Sequence, residues 1–352
     1  MFLITRKFFN YLLGTFFTYL IYFFPFDVLF YFIFNKPILQ IFSIISSFLF
    51  YLIIILYFKN KVSNTFFKVI IFEGMGIGFI SLCVITLMLV VKTVTKINQE
   101  IIGMTALALI SILVLYGLIN ANSIRLKRLN FFSRKVKKRV KIIFLSDLHL
   151  GSNSKNHLIK VIDIIQSLRS DVVIIGGDLL DSDKFNFNDL AEFKTLNKPI
   201  FFVTGNHELY LKNWKKIKNK LNDFNIKLID GQSVKFHEIN LIGVGDGMLE
   251  SQKNNIKNHD LISNAFNLII VHKPLLWKYY SNHIDLMLSG HTHNGQIFPF
   301  NLLVKIKFPN IYGLYKKDDS NLYVSSGVGC WGPKIRIGSK NEIIDITISN
   351  KR

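Results

Sequence analysis

The sequence predicts a layered α/β domain over the last three-fifths of the chain, preceded by an all-α region of four membrane-spanning helices. Three observations support this prediction. Apolar stretches of about 20 residues, the length needed to cross a bilayer, fill most of the first 124 residues. From residue 140 onward, short apolar runs alternate with segments of helical periodicity. Most of these short runs end directly at an Asp, Asn or His side chain.

Composition and charge are unevenly spread along the 352 residues. Half of the residues are apolar, and 33 are Phe, which is too apolar for an ordinary soluble protein. The net charge of +20 divides into +5 over residues 1–124, +9 over residues 125–141 and +6 over the remainder. The last part is only mildly basic, so no nucleic-acid partner is expected. Cys83 and Cys330 form no Cys-x-x-Cys pattern, and a structural disulfide is not expected.

Four spans are expected within the transmembrane region 1–124, at residues 8–34, 37–58, 66–91 and 101–119. Buried helices of a soluble domain are the alternative, but such helices show a polar face and these do not. Pro25 and Asp27 interrupt the first span, so whether it crosses fully stays open. Lys and Arg concentrate in the loops on the side of both termini. This bias predicts an integral membrane protein whose C-terminal domain faces the cytoplasm.

Residues 125–139 are expected to form a basic juxtamembrane linker between the spans and a domain over residues 140–352. The run contains no acidic residue, and it can act as the positive-inside stop signal. It can also lie on anionic lipid, at about 1 kcal/mol for each basic residue near the surface. The two interpretations are compatible, and we expect both.

The predicted domain contains βα units followed by a region rich in strands. Helices are expected at residues 154–169, 188–197 and 209–222. Strands are expected at residues 140–146, 171–177, 199–205, 226–229, 233–237, 240–244, 267–272, 284–289, 322–326 and 342–348.

Side chains that suit a divalent metal follow five of these apolar runs. The candidates are Asp147, His149, Asp178, Asn206, His272, His291 and His293. Carboxylate, imidazole and amide oxygen suit Mn, Fe or Zn, and the set contains no thiolate. We therefore expect two divalent metal ions. Asp178 is the predicted bridging carboxylate, because it lies in the middle of the set.

Two such ions, roughly 3.5–4 Å apart, can bind a bridging water and polarise a phosphoryl oxygen. They lower the pKa of the water, so that hydroxide can attack near neutral pH. A protein acid must then protonate the leaving oxygen. His207, beside Asn206, is expected to do so with a pKa near its unshifted value.

The ordered motifs D-x-H, G-D-x-x-D, G-N-H-E, H and G-H-x-H, over residues 140–349, resemble those of the calcineurin-like metallophosphoesterase superfamily. GHTHNGQIFPF and GVGCWGPKIRIG resemble its membrane-associated bacterial subgroup of YkuE-like and YaeI-like phosphoesterases. The resemblance implies a four-layer sandwich of two mixed β-sheets flanked by helices. The subgroup commonly has Gly-Gly after the last ligand, whereas this chain has Asn294 and Gly295. We expect this difference to leave metal binding intact and to alter the entrance through which substrate reaches the site.

The resemblance also implies a role for each candidate. It assigns Asp147, His149, Asp178 and His293 to the first metal. It assigns Asp178, Asn206, His272 and His291 to the second metal. His207 would steer or protonate the leaving group, and Asp181 would contact a ligand without binding metal. Arg336 stays open between a phosphate contact and a structural ion pair.

The predicted function is therefore a membrane-anchored, dinuclear metal-dependent phosphoesterase that hydrolyses a phosphoester or pyrophosphate bond by metal-activated hydroxide. Residues 297–315 are strongly apolar and directly follow the last ligands, which favours a lipid-linked substrate. One alternative is a nucleotide phosphodiesterase. Another is a non-enzymatic membrane transporter or sensor whose metallophosphoesterase-like domain only binds a ligand.

Overall fold

The computed structural model describes residues 2–59, 64–182, 185–257 and 261–350, and the chain divides into two compact units. The helical unit comprises Met1–Ile119 together with Gly332–Ile335. The sheet unit comprises Asn120–Trp331 together with Arg336–Arg352.

Five helices precede the first strand: α1 Phe2–Tyr22, α2 Phe24–Phe34, α3 Gln40–Phe58, α4 Thr65–Val94 and α5 Gln99–Asn122. The last three are long and apolar enough to cross a membrane, and α1 and α2 add a fourth if the bent pair is one span. The two helices of that pair meet at an angle of 40°. Pro25 lies in the first turn of α2, where its missing N–H is not needed, so the chain breaks there and restarts.

The helical unit packs around a core of α2, α4 and α5 side chains. That core contains Leu29, Phe32, Val84, Ile85, Met88, Ile102, Ala106 and Ile110. Glycine permits one close approach, since a Cβ on Gly78 would collide with the carbonyl oxygen of Ile21. Many other large apolar side chains of these helices are exposed, as expected of surfaces that face lipid.

The sheet unit contains two six-stranded mixed sheets. The first runs in the order β1-β12-β2-β3-β4-β5, and only its β12–β2 pair is antiparallel among the described strands. Its strands are β1 Ile124–Phe132, β2 Val140–Leu145, β3 Val172–Gly176, β4 Ile200–Val203, β5 Ile226–Leu228 and β12 Asn341–Ser349.

The second sheet runs in the order β10-β11-β9-β8-β7-β6, with antiparallel β10–β11 and β6–β7 pairs at its edges. Its strands are β6 Gln232–Phe236, β7 Ile239–Val244, β8 Phe266–Val271, β9 Leu286–Ser289, β10 Gly313–Lys317 and β11 Ser320–Val324.

Helices cover the outer face of each sheet. The α-helices are α6 Lys155–Ser167, α7 Asn206–Tyr210, α8 Trp214–Lys220, α9 Leu249–Lys257, α10 Trp277–Tyr280 and α11 Phe300–Lys307. Short 3₁₀ helices lie at Phe187–Leu196, Leu221–Phe224, Pro274–Leu276 and His293–Gly295.

Alternation along β2 shows how the layers form. Ile142 and Phe144 enter the core shared by the two sheets, whereas Ile143 and Leu145 enter the core under α6. A third core packs α9 and α10 against the second sheet. The predicted four-layer sandwich of two mixed sheets flanked by helices is therefore confirmed.

The first strand differs from the expected organisation of residues 125–139. Residues 124–132 form β1, which pairs in parallel with β12 from Ile124 opposite Asn341 to Phe132 opposite Ser349. Leu129 and Phe131 are buried between exposed neighbours, so the stretch alternates as an edge strand does. Its many Lys and Arg residues mask this alternation in the sequence. Most of the expected linker is thus part of the sheet.

Candidate metal centre

Every predicted metal ligand follows the carboxyl end of a strand. Asp147 and His149 follow β2, Asp178 follows β3, Asn206 follows β4, His272 follows β8, and His291 and His293 follow β9. The carboxyl ends of parallel strands meet at one edge of a sheet, so each sheet brings its ligands together. The structure gathers six of these side chains, all except Asn206, into two adjoining clusters, and it also groups His149 with Asp181 and His207.

Asp147, His149 and His293 form the first cluster, and all three are buried. The Nε2 atoms of His149 and His293 lie 3.1 Å apart. Asp147 Oδ1 lies 3.4 Å from His293 Nε2 and 3.9 Å from His149 Nε2. Bonds of about 2.1 Å to one ion would place neighbouring ligand atoms about 3.0–3.4 Å apart. Two of the three distances fall in this range, and the third is 0.5 Å longer, so a small movement of Asp147 or His149 would let all three side chains bind one divalent cation.

Asp178, His272 and His291 form the second cluster. His272 Nε2 lies 3.1 Å from Asp178 Oδ2 and 3.2 Å from His291 Nδ1. The other ring nitrogen of His272 donates its hydrogen to the carbonyl of Gly176 at 2.9 Å. In the neutral ring, that bond selects the tautomer whose Nε2 lone pair faces the cluster, as a metal-binding imidazole requires.

Asp178 faces both clusters. Its Oδ2 is 3.1 Å from His272 Nε2 in the second cluster and 3.7 Å from His149 Nε2 in the first. Its Oδ1 accepts the backbone N–H of His207 at 2.9 Å, which fixes the orientation of the carboxylate. Asp178 Oδ2 thus lies within 4 Å of a histidine in each cluster.

The electrostatics of the second cluster favour a cation. Burial alone lowers the pKa of His272, but the carboxylates of Asp178 and Asp147 outweigh it and raise this pKa to about 10. Burial, assisted by the neighbouring charge on His272, lowers the pKa of His291 to about 2. A proton is therefore retained between the two buried carboxylates, at a point where a metal ion would also be stabilised.

Two buried atoms of the candidate ligands have no hydrogen-bond partner among the described residues. They are Asn206 Oδ1 and His149 Nδ1. A buried acceptor without a partner costs about 1–3 kcal/mol, so a ligand at Asn206 would remove an energetic penalty. Together with the all-oxygen-and-nitrogen donor set, this shows that the residues fit hard or borderline divalent ions.

Five of the candidate ligands have left-handed backbone conformations. They are Asp147, His149, Asp178, His291 and His293, with φ between 47° and 73°. Residues other than glycine adopt this region rarely, and each instance costs on the order of 1 kcal/mol or more. Gly177 provides space beside them, because a Cβ there would collide with the His272 ring. The fold thus holds the ligand turns in strained conformations.

His207 lies at the edge of the site. Its ring contacts those of His149 and Trp331, with centroids 4.7 and 5.7 Å apart respectively, and its Nε2 is 3.9 Å from Asp178 Oδ2. Burial lowers the pKa of His207 to about 4. The expectation of an unshifted pKa was therefore wrong, because the sequence does not show how deeply this ring is enclosed.

Glu208 is a structural member of the site to which the sequence analysis gave no role. Its Oε2 accepts the N–H groups of Gly205 and Asp178 at 2.7 and 3.1 Å, and its Oε1 accepts that of Leu180 at 2.8 Å. One buried carboxylate therefore joins the turn after β3 to the turn after β4. The only available signal was its place in the G-N-H-E motif.

Arg336 fits neither of the alternatives left open for it. The side chain is fully buried, and both Nη2 hydrogens are directed at the carbonyl oxygens of Ser326 and Gly329, each at 2.8 Å. Nη1 donates to the carbonyl of Lys340 at 3.1 Å, and Nη2 lies 3.2 Å from His293 Nδ1. The guanidinium holds backbone segments against a predicted ligand, and its partners are carbonyls rather than a carboxylate.

Replacing Arg336 with methionine is expected to destabilise the protein by about 3 kcal/mol or more. The substitution keeps a long side chain but leaves several buried carbonyl oxygens without a donor. Thermal unfolding in detergent would measure the change, with the exposed Arg169→Met as the control, for which about 0.5 kcal/mol is expected. Equal effects of the two substitutions would contradict the role of Arg336.

Comparisons with known proteins show which proteins this chain is similar to. Residues 140–295 match the model of a family described as calcineurin-like phosphoesterase. An uncharacterized metallophosphoesterase of Campylobacter jejuni is 32% identical over 262 residues, which cover 70% of each chain. A transmembrane protein with metallophosphoesterase domain from Danio rerio is 30% identical over 274 residues, which cover 69% of this chain and 62% of that one. The crystal structure of a phosphopantetheinyl hydrolase from Mycobacterium tuberculosis covers 56% of this chain and 92% of its own, with 12% identity and a TM-score of 0.38.

Proposed function

We propose that this chain, which belongs to the calcineurin-like metallophosphoesterase family and is a metal-dependent phosphoesterase, is a membrane-anchored dinuclear enzyme. It hydrolyses a phosphoester or pyrophosphate bond of a lipid-linked substrate. The observation that carries the proposal is the pair of adjoining ligand clusters with Asp178 facing both. The proposed location is a bacterial inner or plasma membrane, with the sheet unit on the cytoplasmic side.

Seven side chains would hold the two ions. Asp147, His149, Asp178 and His293 would hold the first, and Asp178, Asn206, His272 and His291 would hold the second. When bound, Mn, Fe or Zn ions supply Lewis acidity and lower the pKa of a nearby water. The imidazoles must be neutral in this role, so binding would release the proton that His272 otherwise retains.

His207 is the proposed proton donor to the leaving oxygen. Enclosure lowers its pKa to about 4, so the ring is neutral at pH 7 before substrate arrives. A phosphate anion beside it would raise this pKa, because an opposite charge stabilises the imidazolium. The substrate would thereby bring His207 to the protonation state that the reaction needs, within reach of the phosphoryl group.

The membrane anchor is supported by three helices long and apolar enough to cross a bilayer. The relative from Danio rerio is also named a transmembrane protein. The exposed basic side chains of β1, among them Arg125 and Arg128, are proposed to lie near anionic lipid. We therefore still propose that basic side chains of residues 125–139 contact anionic lipid, although most of these residues form strand β1 and not a linker.

Removing the metal is expected to abolish hydrolysis of bis-p-nitrophenyl phosphate by the detergent-purified protein, and adding Mn²⁺ is expected to restore it. Two ions per chain should be recovered from the active sample. At an Mn²⁺ concentration 100 times the Kd of a site, each occupied site should add about 2.7 kcal/mol to the stability of the folded state, seen as a higher unfolding temperature than in chelator. Turnover that persists after complete chelation, or full activity with one ion per chain, would contradict the dinuclear proposal.

A further inference from the structure

Residues 297–308, which include α11, carry an apolar surface that the fold does not use. None of the eight residues of α11 is buried. Five large apolar side chains of the segment are between 46% and 81% exposed: Phe298, Phe300, Leu302, Leu303 and Ile306. Single exposed apolar residues are common, but five within nine positions form a patch of the kind that marks an interaction surface.

Both ends of this segment are fixed at the metal centre. At its start, the side-chain amide of Gln296 donates to the carbonyl of Trp331 at 3.0 Å and accepts its N–H at 3.1 Å. At its end, the buried Phe308 ring packs on the ring of the predicted ligand His291, 4.9 Å away. The chain thus leaves the ligand turn and returns to it, which places the exposed face of α11 beside the site.

The composition of α11 suits the boundary of a bilayer. Leu302, Leu303 and Ile306 are three and four positions apart, so they share one side of the helix. Lys305 and Lys307 are exposed near the end of the same helix. Apolar side chains flanked by lysines are typical of helices that lie in the interface of an anionic membrane.

A helix that could cross a membrane is joined to the sheet unit by a very short link. Helix α5, which is long and apolar enough to cross a membrane, ends at Asn122, and β1 begins at Ile124. Only Ser123 lies between them, and one residue spans at most about 3.6 Å. Gly332–Ile335, directly after Trp331, belongs to the helical unit, where the Lys334 N–H donates to the Glu73 carboxylate at 2.9 Å.

We infer that residues 298–306 dock into the headgroup and acyl boundary of an anionic bilayer, with the apolar side chains inserted and Lys305 and Lys307 at the level of the lipid phosphates. The opening of the metal centre then receives its substrate from the lipid phase. This consequence rests on the proposed function, whereas the docking itself does not.

Quenching of a fluorescent label in the full-length protein tests the docking. An environment-sensitive label would be attached to Ile306→Cys in a Cys83→Ala background, where the remaining Cys330 is buried. The protein would be placed in nanodiscs of phosphatidylcholine and phosphatidylglycerol that contain nitroxide-labelled acyl chains. Lys227→Cys, exposed on β5 at the edge of the first sheet opposite β1, is the control.

Quenching at position 306 is expected to exceed that at position 227 by about threefold or more, with a blue-shifted emission. Equal quenching at the two positions would overturn the inference. A blue shift without quenching would also overturn it, because the surface would then be covered by protein, such as a second copy of the chain. Hydrolysis of a soluble diester by the same samples reports on the proposed function separately, since quenching requires no turnover.

Discussion

Asparagine in place of Asp178 is expected to lower kcat/KM for a soluble phosphodiester by about 10³-fold or more, equivalent to about 4 kcal/mol of transition-state stabilisation. The substitution removes a negative charge that lies 3.1 Å from His272 and 3.7 Å from His149, one histidine in each cluster. It retains an oxygen that can accept the His207 N–H. The substitution should therefore weaken metal binding and lower turnover. The unfolding temperature measured in chelator should change by only a few degrees.

Asp181→Asn is the matched control for this measurement. The Asp181 carboxylate accepts the Ser152 N–H at 2.9 Å and lies 3.6 Å from His149 Nδ1, so it contacts one predicted ligand without belonging to either cluster of predicted ligands. A group in this position usually contributes about 10- to 100-fold to metal affinity or activity. If both substitutions reduced activity equally, or if Asp178→Asn kept a tenth of the wild-type value, Asp178 would not be the bridging ligand.

Alanine in place of Glu208 is expected to destabilise the fold by about 3–5 kcal/mol. It leaves the N–H groups of Gly205, Asp178 and Leu180 buried and without an acceptor. Each unsatisfied buried donor costs about 1–3 kcal/mol, although water entering the space would recover part of this. For a domain of this size the unfolding temperature should fall by about 6–15 °C in chelator, so the effect does not depend on bound metal.

Glu250→Ala provides the comparison, because the Glu250 side chain is largely exposed and pairs with Lys253 on the surface of α9. Its removal is expected to change stability by no more than about 0.5 kcal/mol. A fall for Glu208→Ala no larger than for Glu250→Ala would show that the two ligand turns do not depend on this carboxylate.

The sequence predicted the buried strands well, and it placed the candidate ligands just after strand ends, because both features depend on short-range patterns. Each buried strand is a compact apolar run, and each predicted ligand stands within a few residues of its end. Strand β1 was not predicted, because its lysines and arginines obscure the alternation of buried and exposed side chains that is seen when it pairs with β12. Strand β10 and helix α11 were also not assigned, since their apolar residues give no clear period.

The supporting groups of the site could not be predicted in the same way. Arg336 contacts His293, which lies 43 residues earlier in the sequence. Nothing in its local sequence distinguishes it from a surface arginine. Enclosure of His207 likewise depends on Trp331, which lies far along the chain. Such contacts are set by the packing of loops from two sheets, and no single-sequence pattern encodes them.

Five predicted ligands have a left-handed backbone, which lowers folding stability, although the site needs their side chains. Glycine would relax each of these turns, yet it would remove the side chain on which the site depends. Descendants of this chain released from selection for hydrolysis would therefore gain folding stability as they lost the ligands. An inactive relative that keeps this fold should for that reason be the more heat-resistant of the two.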